Sequence, residues 1–365
     1  MNKKMRALIA IGGTGGHVFP GYNLALYLQE KKYDVRLVVD KRGFKFLKHL
    51  KNIDISLLPS TPFINKNIFL KLLSAILIIY SIFRSLIFLI FNRPNIIFGM
   101  GGYASFPICF AATILNIKFI IYENNLIIGK ANKLLIPFAK QIFVSSKDLE
   151  GVPKKYENKI FEIGNIIKKK IINFKNKNLE NKDFKKMGIL VLGGSQATKI
   201  FAELLPNIFN NCKKNGVYLK IYQHCLPSQN DALKSYYEEK NIEFEIFNFS
   251  NDILEYFSKV NLAITRSGSS VLAELTNANI PFISVPLPTS ADNHQLKNAL
   301  YYQKKNYSFL IEEVDLKDKL LPLIKNLSEN KSLMNKIILN QRQHSDKNVY
   351  NNIDIALKWM INEKN

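Results

Sequence analysis

Short apolar runs alternate with segments of helical periodicity along most of the chain. A first strand is predicted at Arg6–Ile11, followed by a glycine-rich turn and a helix at Pro20–Lys31. Alternation of this kind is typical of βαβ units and a parallel sheet. A first α/β domain ending at residue 165 is therefore expected, and its further predicted strands are Asp34–Asp40, Asp54–Leu58, Asn95–Phe98, Lys118–Tyr122, Gln141–Ser145 and Ile160–Ile163.

The same alternation returns in the second half. The polar, Lys- and Asn-rich segment Lys168–Lys186 is predicted as a linker, and a second α/β series follows it. The final helix, Asn351–Glu363, is expected to pack back on the first domain. The fold class predicted is α/β, two Rossmann-like doubly wound domains facing each other across a cleft, with domains at 1–165 and 166–345 and a returning segment at 346–365. The predicted strands are Gly188–Leu192, Leu219–Gln223, Phe244–Asn248, Leu262–Thr265, Pro281–Val285 and Ser308–Ile311.

The most informative stretch runs from Leu262 to Ala299. The small-residue turn 266–270 joins a buried strand to a helix predicted at Val271–Ala278, and a second helix is predicted at Asp292–Ala299. Such a turn lies at the carboxyl edge of a parallel sheet, and the unpaired N–H groups of a helix start suit a phosphate. Glu274, one turn into the helix, is placed to accept hydrogen bonds from sugar hydroxyls. The alternative is a glycine turn in an α/β core with a surface glutamate.

Ile68–Phe91 is the most apolar segment. It is long enough to cross a bilayer, but Lys71 and Arg84 interrupt it, and its longest uncharged run, Leu72–Phe83, is too short to span. We expect a crossover helix that is partly buried and partly available to a membrane surface, with Lys66, Lys71, Arg84 and Arg93 at lipid headgroups. A fully buried helix and a transmembrane span are the two alternatives.

Two glycine-rich turns stand in the first half. Four glycines within Gly12–Gly16 let the backbone approach a ligand closely, but their spacing is not the dinucleotide fingerprint. Gly99, Gly101 and Ala104 do match G-x-G-x-x-A, with Glu123 downstream. A dinucleotide-dependent oxidoreductase is therefore one alternative function.

Charge and cysteine content limit the possible partners. The formal net charge is +22, which favours an anionic partner such as nucleic acid, anionic lipid or a phosphorylated substrate, although abundant Lys, Asn and Ile throughout the chain explain it equally well. No recognition-helix or aromatic-stacking motif is present and the basic residues are spread, so no nucleic-acid partner is expected. Cys109, Cys212 and Cys225 lack metal-ligand spacing and favour a reducing cytosol without disulfides or zinc.

Seven motifs in order resemble one known family. They are GGTGGHVFPG at 12–21, GMGGYASFP at 99–107, YENN at 122–125, GN at 164–165, GGSQA at 193–197, RSGSSVLAE at 266–274 and DNHQLKNA at 292–299. Together they resemble the N-acetylglucosaminyltransferases of peptidoglycan synthesis, which convert lipid I to lipid II. The resemblance implies the GT-B fold, UDP-N-acetylglucosamine as donor, undecaprenyl-linked lipid I as acceptor, no cofactor, and a peripheral place at the anionic cytoplasmic face of the inner membrane. A diacylglycerol glycosyltransferase of the same fold is the nearest rival.

The resemblance also assigns substrate contacts. Those of the first domain are donor and acceptor-diphosphate contacts at Thr14, Gly15 and Gly16, a donor-sugar contact at Asn125, and Lys168 in place of a family arginine. Those of the second domain are a donor phosphate at Ser195, the uracil near Ser250, the pyrophosphate turn at Ser269 and Ser270, the ribose at Glu274 and the sugar at Gln295. Tyr122, His294 and Phe106 also depart from the family pattern, which has His, Gln and Gly there.

The implied reaction is attack by the acceptor's 4-hydroxyl on the anomeric carbon, with inversion. His17 is the leading candidate for the general base, because its unperturbed pKa lies near working pH. The alternative is that His17 only hydrogen-bonds the turn or the acceptor diphosphate. Glu123 is the second candidate, and its alternative role is a structural carboxylate capping Asn124 and Asn125. No DxD pair follows a strand, so no metal is expected.

Overall fold

A computed structural model describes residues 4–48, 53–62, 67–174, 186–248, 250, 252–344 and 346–362, without the side chains of 195–198 and 359–362. The chain divides into two compact units. Unit 1 comprises Met1–Lys168 and Asp346–Asn365, and unit 2 comprises Lys169–Ser345. The division falls at residue 168, where 165 was predicted.

Unit 1 is built on a parallel seven-stranded sheet of order β3-β2-β1-β4-β5-β6-β7. Its strands are β1 Arg6–Ile11, β2 Asp34–Val39, β3 Asp54–Leu57, β4 Ile96–Gly99, β5 Phe119–Glu123, β6 Gln141–Val144 and β7 Ile160–Glu162. The first helices are α1 Gly15–Glu30, α2 Lys41–Leu47, α3 Ile68–Phe91, α4 Gly102–Ile114 and α5 Lys130–Leu135. Strands buried on both faces explain the near-continuous apolar runs of the sequence.

Unit 2 repeats the design with a parallel six-stranded sheet of order β10-β9-β8-β11-β12-β13. Its strands are β8 Lys186–Leu192, β9 Tyr218–His224, β10 Glu243–Phe247, β11 Leu262–Thr265, β12 Phe282–Ser284 and β13 Phe309–Leu310. Its helices are α6 Lys169–Ile172, α7 Gly194–Lys214, α8 Asn230–Glu239, α9 Leu254–Phe257, α10 Ser269–Asn277, α11 His294–Lys304, α12 Leu316–Glu329 and α13 Lys331–Gln343. The predicted linker therefore contains α6, and residues 175–185 lie outside the described residues.

The last helix, α14 (Val349–Asn362), belongs to unit 1. The Tyr27 hydroxyl donates to the carbonyl of Tyr350 at 3.1 Å, and the two rings pack with centroids 4.5 Å apart. Lys31 pairs with Asp354 at 2.7 Å. The helix therefore packs on α1, the element that begins at the first glycine turn.

Two helices that follow glycine turns begin earlier than predicted. Helix α1 begins at Gly15 rather than Pro20, although Pro20 inside the helix has no N–H to donate to the carbonyl four residues before it. That carbonyl belongs to Gly16, and the Asn124 side chain donates to it at 3.0 Å instead. Helix α10 begins at Ser269 rather than Val271, so both serines lie in its first turn.

Helix α3 buries mostly polar side chains and exposes apolar ones, the reverse of an ordinary surface helix. Its buried residues are Ser74, Ser81, Ser85 and Leu89, and each serine hydroxyl donates to a carbonyl one turn before it. The small serines let α3 pack closely on unit 1, while large apolar side chains point outward. The fully buried helix considered from sequence is therefore wrong. The exposed side chains are Ile68, Phe69, Leu72, Leu73, Ile76, Leu77, Ile79, Tyr80, Phe83, Ile87, Ile90 and Phe91.

Candidate functional site

In unit 1 the strand order changes direction between β1 and β4, and both glycine turns follow these two strands. This switch point is where open α/β sheets bind ligands. The turns pack on each other without space for a side chain, since a Cβ on Gly12 would lie 2.2 Å from the Cβ of Ala104. Glycine at this position is therefore required by the close approach of α4.

Asp40 organises the first turn from beneath. Its carboxylate is buried at 4 % exposure and follows β2, the neighbour of β1. Oδ1 accepts from the backbone N–H of Gly13 at 3.0 Å and of Gly43 at 2.7 Å, and so caps α2 while it fixes the glycine turn. Oδ2 accepts from Arg42 Nε and from the Ser60 hydroxyl, both at 3.3 Å.

The loop after β5 holds the other side of the turn. Asn124, which bonds the Gly16 carbonyl, is itself buried, and its own carbonyl accepts from the Ser145 hydroxyl at 3.1 Å. Asn125 is half-buried, and its amide donates to Glu123 Oε1 at 3.0 Å. The predicted donor-sugar contact thus stands in a loop fixed directly to the first glycine turn.

Glu123 is committed to this loop. Its side chain is 2 % exposed. Oε1 accepts from the backbone and side-chain nitrogens of Asn125, and Oε2 accepts from Gly129 N at 2.9 Å and Asn132 Nδ2 at 3.0 Å. A carboxylate with four donors and no solvent access stabilises a loop. The geometry therefore supports the structural alternative for Glu123 and argues against the general-base hypothesis.

His17 lies in the first turn of α1, half-buried against the second glycine turn. A Cβ on Gly101 would lie 3.0 Å from Nδ1 of the imidazole, and one on Gly102 would lie 3.2 Å from Cδ2. Both glycines have positive φ, +88° and +71°, a conformation that side chains disfavour. The sequence GMGG therefore forms a flat wall for the imidazole, and Asn132 Nδ2 lies 3.5 Å from the same Gly101 position.

Tyr122, which stands where the family pattern has histidine, bonds two backbone groups through its hydroxyl. Its buried hydroxyl donates to the carbonyl of Gly164 at 3.3 Å and accepts from the backbone N–H of Ile166 at 3.1 Å. Burial raises the pKa of this hydroxyl far above its ordinary value, so it stays protonated. Tyr122 therefore ties the 122–125 loop to the segment that leaves unit 1.

The switch point of unit 2 lies between β8 and β11, and glycine turns again follow both strands. The two turns meet, since Arg266 N donates to the Leu192 carbonyl at 3.3 Å and the Thr265 hydroxyl to the same oxygen at 3.2 Å. Helices α7 and α10 start here, so their amino-terminal N–H groups converge on one edge of the sheet. Two converging helix starts form an anion-binding edge.

Arg266 fixes this edge. Its guanidinium is 5 % exposed, donates to the carbonyls of Val285 and Pro286, pairs with Glu313, and lies 4.8 Å from the ring centre of Phe201 in α7. The charge is neutralised inside the unit. Arg266 therefore serves as a clamp that joins four segments around the turn.

Gln295 holds the turn with a neutral group. Its Oε1 accepts from the backbone N–H of Ser267 at 3.2 Å and of Leu287 at 3.0 Å. Asn298, one turn further along α11, donates to the Ser267 carbonyl at 3.1 Å. The predicted sugar contact of Gln295 is therefore left to its Nε2, because the carbonyl oxygen is committed to the backbone.

The other predicted residues fall into two groups. Ser269, Ser270 and Glu274 lie in the first two turns of α10, with Ser269 buried and Glu274 half-buried. Thr14, Gly15 and Gly16 form the start of α1. Ser195 lies in the first turn of α7, but its side chain is outside the described part of the chain, as are the neighbours of Ser250. Ser250 follows the edge strand β10, and Lys168 ends the first segment of unit 1. No described contact joins either residue to the turns.

Sequence reasoning overlooked Asp40, Arg42 and Asn132 as members of the site. Asp40 had a readable signal, an aspartate between a strand and a helix start, which is a typical N-cap. Asn132 had none, because its contacts join residues that the sequence separates by a loop. Within the described residues, no group of three or more His, Cys, Asp or Glu side chains could hold a metal ion.

Two doubly wound parallel-sheet domains, each presenting helix starts at its switch point, are the architecture of the GT-B class of glycosyltransferases. Family models match the two units separately: the glycosyltransferase family 28 N-terminal domain at residues 7–144 and the family 28 C-terminal domain at residues 188–352. The chain belongs to glycosyltransferase family 28 and is an enzyme of that class. The oxidoreductase interpretation of Gly99–Ala104 is therefore wrong.

Alignments to named relatives cover all or nearly all of the chain. A protein of Pelagibacter ubique (strain HTCC1062) is 37% identical over 364 residues, covering 100% of both chains, and is named UDP-N-acetylglucosamine--N-acetylmuramyl-(pentapeptide) pyrophosphoryl-undecaprenol N-acetylglucosamine transferase. A protein of Rickettsia bellii (strain RML369-C) with the same name is 31% identical over 362 residues, covering 96% of this chain and 99% of its own. The crystal structure of Acinetobacter baumannii MurG shares the fold with a TM-score of 0.78 at 23% identity, over 98% of this chain and 100% of that one.

Proposed function

We propose that this chain transfers N-acetylglucosamine from UDP-N-acetylglucosamine to the 4-hydroxyl of undecaprenyl-diphospho-muramoyl-pentapeptide, with inversion at the anomeric carbon, in peptidoglycan synthesis. Full-length relatives that carry the name of this activity support the assignment. The observation that carries it is the pair of glycine turns at each switch point, one set for each of two diphosphate substrates. The proposal assigns the donor to unit 2 and the acceptor to unit 1.

Donor binding follows from the turns after β8 and β11. The diphosphate would accept from the first N–H groups of α7 and α10, near Ser195, Ser269 and Ser270. Glu274, half-buried one turn into α10, would accept from the ribose hydroxyls. Uracil recognition near Ser250 and a phosphate contact by Lys168 remain predictions from the resemblance alone.

The chemical step requires a base for the acceptor hydroxyl and stabilisation of the departing diphosphate. In the proposed step the acceptor O4 forms a bond to C1 of the donor sugar, the bond from C1 to the phosphate oxygen breaks, UDP leaves, and the proton passes to His17. Helix starts stabilise the diphosphate charge without a metal ion. The imidazole is suited to the role because the 101–102 wall fixes its plane.

The lipid-linked acceptor requires a membrane-facing surface, and α3 has one. It is the one helix of the described chain that is long and apolar enough to cross a membrane, with 22% of its most apolar window buried. Because β3 and β4 are parallel, the connecting α3 must begin near the carboxyl edge, the edge that carries the glycine turns. Its first residues are open to solvent: Ile68 is 72% exposed and Phe69 is 71% exposed.

Aromatic residues lie on α4 and in the segment that follows α5. Phe106 stacks on Phe110 at 5.8 Å, and Phe110 meets the half-exposed Phe138 edge-on at 6.0 Å. Helix α4 packs along α3, and Phe106, present where the family has glycine, is half-buried against the core of unit 1. With Lys71 and Arg84 exposed on α3, these features support peripheral binding to an anionic membrane surface. Lys66 lies outside the described residues.

A transfer assay with defined acceptors tests the function. Purified enzyme should move radiolabelled N-acetylglucosamine from UDP-N-acetylglucosamine to a short-chain lipid I analogue, and the proton coupling at the new anomeric centre should be that of a β-linkage. Dioleoylglycerol in place of lipid I should give no product. Transfer to the diacylglycerol, with none to the lipid I analogue, would establish the rival lipid glycosyltransferase instead.

Vesicle co-sedimentation tests the membrane surface separately. The double variant Leu72→Ser with Ile76→Ser should bind vesicles containing phosphatidylglycerol less tightly than the wild type. Val314→Ser, which changes an exposed valine of unit 2, is the matched control and should bind normally. Binding that ignores both anionic lipid content and salt concentration would contradict an electrostatic contribution.

A further inference from the structure

The cationic side chain of Arg42 lies beside the first glycine turn. Arg42, the second residue of α2, donates from Nε to Asp40 Oδ2 at 3.3 Å, and its Nη2 lies 3.8 Å from the position that a Cβ on Gly13 would occupy. The side chain is 53% exposed. For this guanidinium the structure records hydrogen bonding to Asp40 alone among the described residues, which leaves both terminal amino groups for another partner.

The buried carboxylate of Asp40 makes such a cation necessary. Asp40 fixes Gly13 from beneath the start of α1 and therefore places a negative charge next to the N–H groups that an anionic ligand would use. The helix dipole supplies only about half a positive charge at that end. Arg42 neutralises Asp40 and presents paired N–H donors that match phosphate oxygens.

The contacts of Asp40 also locate the site along the acceptor. In the acceptor the diphosphate joins the muramoyl sugar to the lipid chain, so it must lie between the catalytic turn and the membrane-facing surface. Asp40 contacts both sides, since Gly13 belongs to the turn of His17 and Ser60 belongs to the segment that leads from β3 toward α3. Arg42 stands at this junction.

We propose that Arg42 binds the diphosphate of the lipid-linked acceptor and sets the enzyme's preference for a diphosphate-linked substrate. The inference rests on the proposed function. The donor also carries a diphosphate, but two helix starts in unit 2 already converge to receive one, whereas unit 1 has the Asp40 charge to offset. The KM for the acceptor and the KM for the donor, measured separately, distinguish which of the two diphosphates Arg42 binds.

The kinetic test uses Arg42→Gln, Arg42→Lys and the control Lys41→Gln, which removes an exposed charge one residue away on the same helix. Arg42→Gln should raise the KM for the lipid I analogue by about 10- to 100-fold and leave the KM for UDP-N-acetylglucosamine within about twofold. Arg42→Lys should recover part of the loss, and Lys41→Gln should behave as wild type. An equal rise in both KM values, or an equal effect of Lys41→Gln, would overturn the inference.

A binding test separates a ligand contact from support of the turn. Inorganic pyrophosphate should inhibit the wild type competitively against the acceptor. Calorimetry with the donor site saturated by UDP should show at least tenfold weaker pyrophosphate binding to Arg42→Gln at an unchanged thermal unfolding midpoint. Unchanged pyrophosphate affinity would refute the contact. If the wild type transfers nothing to lipid I, the proposed function fails, while the calorimetry still decides whether Arg42 binds a diphosphate.

Discussion

The two switch points of the molecule are built alike but fixed by groups of opposite character. In unit 1 a side-chain oxygen of Asp40 accepts from the turn at Gly13, and that oxygen belongs to a buried carboxylate. In unit 2 the turn after β11 is held by a bond from Ser267 N to the neutral amide oxygen of Gln295. In each of these two turns a backbone N–H donates to a side-chain oxygen, and that oxygen belongs to a carboxylate in unit 1 and to an amide in unit 2.

Because of this difference, the two sheet edges stabilise a bound anion in different ways. A neutral acceptor leaves the field of the α7 and α10 starts intact, so the unit 2 edge suits a diphosphate without an added cation. The clamp of unit 2, Arg266, is already neutralised by Glu313. Unit 1 needs Arg42 because its own anchor is anionic. The similarity of the two domains therefore lies in their topology, and the local charge distinguishes the ligands proposed for them.

The largest expected effect is at the imidazole of unit 1. His17→Ala should lower kcat by about 10²- to 10⁴-fold, the usual contribution of a general base, with little change in the KM for UDP-N-acetylglucosamine. Steady-state kinetics with a lipid I analogue measures both values. Turnover near that of the wild type would leave His17 only a hydrogen-bonding role at the turn.

Replacing the neutral acceptor Gln295 of unit 2 by a charged one should have the next largest effect. Gln295→Glu keeps an oxygen for the N–H groups of Ser267 and Leu287 but adds a negative charge beside the proposed donor diphosphate. The KM for UDP-N-acetylglucosamine should rise by about tenfold, since each 1.4 kcal/mol of repulsion is tenfold in affinity. The KM for the acceptor should change less. A donor KM unaffected by the charge would show that the diphosphate binds elsewhere.

The strands and glycine turns compared here could be predicted from the sequence, whereas the long-range contacts that fix them could not. The strands and glycine turns of both units follow from buried apolar runs punctuated by small residues, and β1 and β11 have their predicted bounds. The start of α1 was misjudged because Pro20 resembles a helix beginning, whereas Asn124 satisfies the carbonyl it leaves open. That bond spans 108 residues. A contact of such range has no local periodicity and no propensity, so only the folded chain reveals it.

Glu274 tests the sugar side of the unit 2 edge. Glu274→Ala should weaken UDP binding by about tenfold, which is the low end of what a hydrogen bond to a charged acceptor contributes. Titration calorimetry with UDP measures the change, and Glu239→Ala, which alters an exposed glutamate of α8, is the control. UDP affinity equal to that of the wild type would reject the ribose contact.

The smallest expected effect lies where the 122–125 loop meets the chain leaving unit 1. Tyr122→Phe removes one hydroxyl and leaves Ile166 N without its acceptor, which should reduce the free energy of unfolding by about 1 kcal/mol and leave kcat nearly unchanged. Chemical denaturation measures this, and Tyr218→Phe, at an exposed position, is the control.

The pH dependence identifies the source of that stability. Burial raises the pKa of Tyr122 in the folded state, so its contribution is fully present below the unfolded pKa of about 10 and falls as pH rises above it. The difference between wild type and Tyr122→Phe should therefore stay constant from about pH 6 to pH 9 and shrink above about pH 10. A difference that stays constant above about pH 10 would mean that the hydroxyl has the same pKa in the folded and unfolded states and is therefore not buried, and the link between the loop and Ile166 would fail with it.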